Sequence, residues 1–230
     1  MPARNTALRA LIACRVSGAW SDAVLKDLIR EHDLEPRDAA LCTALCYGVL
    51  QNQALLDYEI DRFLTGRKRI PPALRDILRL AVYQILFLDR VPDSAAVNEA
   101  VEQAKGRFSQ REANLVNGLL RNLLRQKDSL TPPADYAIRF SHPAPLVDLM
   151  KASVGKRLGT ILAADNESPA TCAQWNPLRG REEDLLLAWE GEGVTAEPHP
   201  WMSGCYLLRD TGNLEKLPSF QAGRFQIQDP

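Results

Sequence analysis

Pro71-Pro72-Ala73-Leu74-Arg75-Asp76-Ile77-Leu78-Arg79-Leu80-Ala81-Val82-Tyr83-Gln84 decides the fold class of this 230-residue chain. The prolines suit a helix start, where a missing N–H is no loss and φ is already helical. Leu74, Ile77, Leu78 and Ala81 then recur at the spacing of one helical face. The same period extends on both sides. Ala7, Leu8, Leu11 and Ile12 begin a first segment. Leu25, Leu28 and Ile29 mark a second, with Ser21 placed to cap it. Leu41, Leu45 and Val49 follow Pro36, and Leu55, Leu56, Ile60 and Leu64 come next. Beyond the quoted stretch, Pro92-Asp93-Ser94 precedes Val97, Ala100, Val101 and Ala104. Leu115, Val116, Leu119, Leu120, Leu123 and Leu124 form the seventh segment. No stretch alternates with period two, so residues 1–127 read as an all-α domain.

The composition changes after Lys127. Ten of the 15 prolines and eight of the 13 glycines lie beyond it, beginning with Thr131-Pro132-Pro133, which marks a boundary. Residues 128–165 read as linker and helices, including one helix from about Pro145 to Ala164. Residues 166–230 read as a small α+β module: strands at Cys172–Trp175, Val194–Glu197, Cys205–Arg209 and Arg224–Gln228, and a Leu-rich helix from Glu182 stopped by Gly191. The last residue, Pro230, follows a strand-like segment directly, so the chain reads as cut short.

Charge divides at the same place. Residues 1–127 carry 19 Lys and Arg against 15 Asp and Glu, and residues 128–230 carry 9 against 14. A polyanion contact therefore belongs to the first half. Ile77–Leu88, the longest nearly apolar stretch, holds Arg79 and Gln84 and falls short of the ~18 residues of a membrane span. No signal peptide is evident at the start, so a cytoplasmic location without membrane contact is expected. Five scattered cysteines and three histidines predict neither a disulfide framework nor a metal site. Cys42 and Cys46 share a helical face and read as small buried hydrophobes in preference to a metal or redox pair.

Two basic stripes are the candidate sites. Arg67-Lys68-Arg69 leads into the fifth helix, where Arg75, Arg79 and Tyr83 stand at successive i+4 steps; between Arg62 and Arg79 six basic residues face one acid. On the seventh helix Asn114, Asn117, Arg121 and Arg125 form a second polar stripe. Arg suits phosphate oxygens and Asn base edges, which fits RNA; a solvated helix face is the better account of either stripe alone, and two such stripes in one small domain bring the RNA reading level with it. No catalytic site emerges. Gly191-Glu192-Gly193 closes a helix where a phosphate loop would open one. Thr171-Cys172 has no base nearby to activate the thiol. Ser141-His142-Pro143 reads as a turn before the next helix.

The quoted stretch, with Val91-Pro92-Asp93-Ser94-Ala95-Ala96-Val97-Asn98-Glu99-Ala100-Val101 and Leu115-Val116-Asn117-Gly118-Leu119-Leu120-Arg121, resembles the NusB-like domain of the bacterial RsmB/Sun family of 16S ribosomal RNA methyltransferases. Arg37-Asp38 and Tyr47-Gly48 fit that domain's third helix. The likeness continues through Ser141-His142-Pro143, Asn166-Glu167, Asn176-Pro177 and Phe220-Gln221-Ala222-Gly223 to Gln228-Asp229. It departs at Gln174-Trp175-Asn176, where a more basic Arg-Val-Asn is expected, and at Pro145, where an aromatic is commoner.

The resemblance implies an all-α NusB-like domain followed by an RRM-like module, together preceding a Rossmann-type domain that lies outside this chain. It implies an S-adenosylmethionine-dependent enzyme acting on carbon 5 of a cytosine in 16S rRNA or its small-subunit precursor. The cofactor loop and the cysteine that attacks carbon 6 belong to that further domain, so this chain alone is expected to be inactive and to hold no cofactor or metal. With the two stripes placed in that domain, the expected RNA-binding residues are Arg67, Lys68, Arg69, Arg75, Arg79, Asn117, Arg121 and Arg125. The alternative is a stand-alone NusB-type RNA- or protein-binding module of transcription antitermination.

Overall fold

The computed structural model describes residues 2–64, 69–167 and 169–228, in two compact units divided between Asn166 and Glu167. The first opens with α1 (Pro2–Ser17), α2 (Ser21–Glu31), α3 (Pro36–Gln51), α4 (Gln53–Phe63), α5 (Pro72–Phe87), α6 (Asp93–Lys105) and α7 (Gln110–Gln126). Pro36 and Pro72 sit in first turns. Trp20 occupies the N-cap position of α2 and no side chain caps it, so Ser21 lies one residue inside the place expected of it.

Helix α5 is the hub. Leu74, Ile77, Leu78, Leu80, Ala81, Val82 and Ile85 are all buried, and α1, α3, α4, α6 and α7 pack around them. A helix enclosed on nearly every side must be apolar on nearly every side, which is why its sequence carries the fold. Close approach of α3 to α5 needs Gly48, because a Cβ there would run into the Tyr83 ring.

The chain stays in the first unit beyond Lys127. Leu130 packs against the main core, and α8 (Tyr136–Arg139), α9 (Ala144–Val154) and α10 (Leu158–Ala164) follow, with Val147, Leu158 and Leu162 as a small core of their own. The single helix expected over 145–164 is two, because Gly155 turns at φ +56°, open to glycine at little cost. Ser141 and Asn166 bind this segment down: Ser141 Oγ accepts from Leu55 N at 3.1 Å, and Gln51 Nε2 donates to Asn166 O at 2.9 Å. Ser141-His142 is thus an anchoring turn, with His142 Nδ1 2.8 Å from Phe140 O.

The second unit runs β1 (Thr171–Trp175), α11 (Glu182–Gly191), β2 (Thr195–Pro198), β3 (Cys205–Arg209), α12 (Pro218–Gln221) and β4 (Phe225–Ile227). Its antiparallel sheet has the order β2-β3-β1-β4, the split βαβ arrangement of ferredoxin-like domains. Ala173, Tyr206, Leu208 and Phe225 face Leu185 and Trp189 of α11. The left-handed turn after α11 falls at Gly193, φ +75°, two residues past the glycine expected to provide it. There Val194 N donates to Trp189 O and Gly193 N to Glu190 O, the paired bonds of a Schellman motif, and Val194 joins Trp189 in the core.

Candidate nucleic-acid interface

The fifth-helix stripe is not a solvated face. Arg79 is 9% exposed and grips Asp57 with two bonds, Nε–Oδ1 2.9 Å and Nη2–Oδ2 2.6 Å, while its Nη1 reaches Asp76 Oδ1 at 3.0 Å. Asp76, 2% exposed, also accepts from Arg15 Nε at 2.9 Å. Arg75 donates to Asp61 at 2.8 Å and to Asp57 at 3.3 Å. Arg15, Asp76, Arg79, Asp57, Arg75 and Asp61 form one alternating chain of charge that ties α1 and α4 to α5. Arg75 and Arg79 therefore hold carboxylates where phosphates were expected, and Tyr83, third in the stripe, packs against Gly48.

The signal for this was present one helix upstream. Asp57 and Asp61 stand four apart on α4, as Arg75 and Arg79 do on α5, so the two pairs match rung for rung when the helices pack. A charge count begun at Arg62 leaves those acids out. Arg62 itself is paired to buried Glu59 at 3.1 Å; burial pushes the Glu59 carboxyl above its ordinary range, against the pull of Arg62. Arg67 and Lys68 lie outside the described residues. Arg69 is exposed, with no carboxylate partner among the described residues.

The seventh-helix stripe is different. Ala113, Val116, Leu119, Leu120 and Leu123 take the buried side. Around the opposite side lie Gln110, Arg111, Asn114, Gly118, Arg121, Asn122 and Arg125, without a carboxylate. Arg121 Nε donates to Asn117 Oδ1 at 2.9 Å and Arg125 Nη2 to Asn122 Oδ1 at 3.4 Å. Neutral amides steady these guanidiniums without cancelling their charge, leaving donor capacity for an anion. Asn117 is half-buried on the flank of this face and spends its carbonyl oxygen on Arg121.

Other candidates fall away on geometry. A groove of about 730 Å³ beside α1 and α6 mixes Arg9, His32 and Arg107 with Glu99 and Glu102, so its charges oppose one another. In the second unit the sheet face away from α11 presents Cys172, Gln174, Cys205, Leu207 and Gln226, with no aromatic ring on which a base could stack. Trp175, at the position where a smaller residue was expected, packs with the helix-side core. Among the described residues no group of three or more His, Cys, Asp or Glu could hold a metal ion.

Comparison with known families places these elements. The model of the NusB family matches residues 1–125. The chain belongs to the NusB family. A second model, the ferredoxin-like domain of RsmF/B-like methyltransferases, matches residues 142–215, so the NusB domain stands in front of a methyltransferase-type module. Curated relatives include a probable ribosomal RNA small subunit methyltransferase B of Bacillus subtilis, 32% identical over 98% of this chain and 52% of its own length. Another, from Synechocystis, is 30% identical over 92% and 49%. The chain spans about half the length of these relatives. Among solved structures, PH0851 superposes with a TM-score of 0.65 at 20% identity, over 97% of this chain and 52% of its own. T. maritima NusB superposes with a TM-score of 0.50 at 24% identity over 56% of this chain and 95% of its own, which shows the fold of the NusB domain.

Both cysteines of the expected helical pair lie in the core of the NusB domain. Burial, with the charge of Asp38, lifts the Cys42 thiol to about 11; burial and the neighbouring thiols lift Cys46 to about 12. A thiol so raised is no nucleophile at neutral pH. Iodoacetamide at pH 8 is expected to leave both unmodified in the native chain and to label both in denaturant, as read by mass spectrometry; native labelling at the rate of an exposed cysteine would contradict their placement. The stability linked to these protonated thiols is present below about pH 8.5, the unfolded value, and is lost as pH rises towards 11 and 12.

Proposed function

We propose that this chain is the RNA-binding portion of an S-adenosylmethionine-dependent methyltransferase acting in the cytoplasm on a cytosine carbon 5 of 16S rRNA, and that the outer face of α7 meets the RNA backbone. The observation that carries the reading is the order of its two parts, a NusB domain followed by the ferredoxin-like domain of RsmF/B-like methyltransferases. The carboxylate-free face of α7 supports the assignment of contacts within the NusB domain.

The residues present do not fit the cofactor. All strand pairings of the described sheet are antiparallel, and its Gly191–Gly193 segment closes a helix, whereas a nucleotide-phosphate cradle follows a strand and opens one. The chain's own share of the reaction is recognition: binding the RNA and presenting it.

The test is a pair of titrations on the purified chain. A 16S rRNA fragment is expected to bind, with affinity falling steeply as salt rises. S-adenosylmethionine is expected to give no calorimetric signal. Cofactor binding, or no RNA binding at low salt, would overturn the reading.

A further inference from the structure

Gly118 sits in the middle of α7, eight residues from either end. Glycine is the poorest helix-interior residue apart from proline, so its presence needs a reason. The ordinary reasons are absent. Gly118 is not among the glycines with positive φ, and α7 continues as regular helix to Gln126, so it neither caps nor kinks. Packing does not require it: a Cβ there would meet nothing within 4 Å, whereas a Cβ at Gly48 would strike Tyr83. The helix has given up a side chain at an exposed point facing away from its own core.

The surroundings of that point are specific. On a helix the neighbours of residue 118 on one face are i±3, i±4 and i±7. Of these Arg111, Asn114, Arg121 and Arg125 are exposed, three cations and one amide, while Leu115 and Asn122 are half-buried. Arg111 is exposed and has no carboxylate partner among the described residues, and Arg121 and Arg125 bond only neutral amides. Arg111 and Arg125 stand about 21 Å apart along the axis, at 1.5 Å per residue.

We infer that Gly118 is the contact notch of the RNA interface, where the sugar–phosphate backbone lies directly against the α7 main chain between the Arg111 and Arg121/Arg125 guanidiniums. This deepens the RNA-binding reading and rests on it. Absence of Cβ is what permits close approach of a ligand to a backbone, and a polyanion is the ligand that a carboxylate-free, arginine-flanked notch complements.

The experiment uses the whole chain, a 16S rRNA fragment, fluorescence anisotropy and thermal melting. Gly118→Ala is expected to weaken binding about 3- to 5-fold and Gly118→Gln at least 10-fold, while both variants melt at or above the parent temperature because the helix gains a better former. Ala152→Gln, equal bulk on exposed α9, is expected to leave affinity unchanged. Binding of Gly118→Gln within two-fold of the parent, as an acidic protein occupant would give, overturns the notch; so does a lower melting temperature, which would make the glycine structural. Arg121→Gln with Arg125→Gln separates the two claims. If that pair weakens RNA binding and Gly118→Gln does not, the notch fails alone. If neither does, assignment of RNA to α7 fails with it.

Discussion

Asp76→Ala is expected to destabilise the helical unit by about 3–5 kcal/mol, the usual result of removing one partner from a buried ion pair. Asp76 takes Arg15 at 2.9 Å and Arg79 at 3.0 Å, and Arg79 is too buried to recover its loss from water. For a unit of this size the melting temperature should fall by about 6–20 °C. Replacing Asp76 by Leu together with Arg79 by Met should lose less than Asp76→Ala alone, because no guanidinium then remains buried against an apolar group. A single Asp76→Ala that melts within 2 °C of the parent would show that the network is not held together as described.

The second large effect comes from one methyl group. Gly48→Ala is expected to cost about 2–3 kcal/mol, because the new Cβ overlaps the Tyr83 ring and that ring is fixed by stacking on Phe87 at 5.2 Å. The cost comes out net of the roughly 1 kcal/mol that alanine adds to a helix. Tyr83→Leu in the Gly48→Ala background should recover more than half of it, as measured by urea unfolding. No loss on Gly48→Ala would mean that α3 and α5 stand further apart than the structure has them. The same substitution at Gly118 is expected to have the opposite sign, since there the added methyl meets only solvent.

The helices were legible because their cause is local. The Leu and Ala period of α5 and α7 is imposed by the core they enter, and Pro36, Pro72 and Pro92 mark helix starts by geometry that needs no partner. The α+β order of the second unit was legible too, to within a few residues at each strand. What could not be read from one segment at a time was pairing between segments. The stripe of Arg75, Arg79 and Tyr83 has the spacing of an exposed basic face, and only the approach of α4, with Asp57 and Asp61, and of α3, with Gly48, turns it inward. Gly193 displaces Gly191 as the turn residue for a similar reason: the position is set by Trp189 and Val194 meeting in the core. The α7 face was legible as polar, but that its arginines bond amides and no carboxylate emerges only from the packed helix.

The measurement that bears most directly on the RNA-binding account is the salt dependence of RNA affinity in the chain carrying Arg121→Gln and Arg125→Gln, compared with the parent. Each phosphate contact of a single strand contributes about 0.7 to the slope of log affinity against log salt. With two contacts removed, the slope should be shallower by about 1.4, affinity should fall across RNA sequences alike, and the melting temperature should stay within 2 °C. A slope identical to the parent's would contradict the account and place the RNA elsewhere on the molecule.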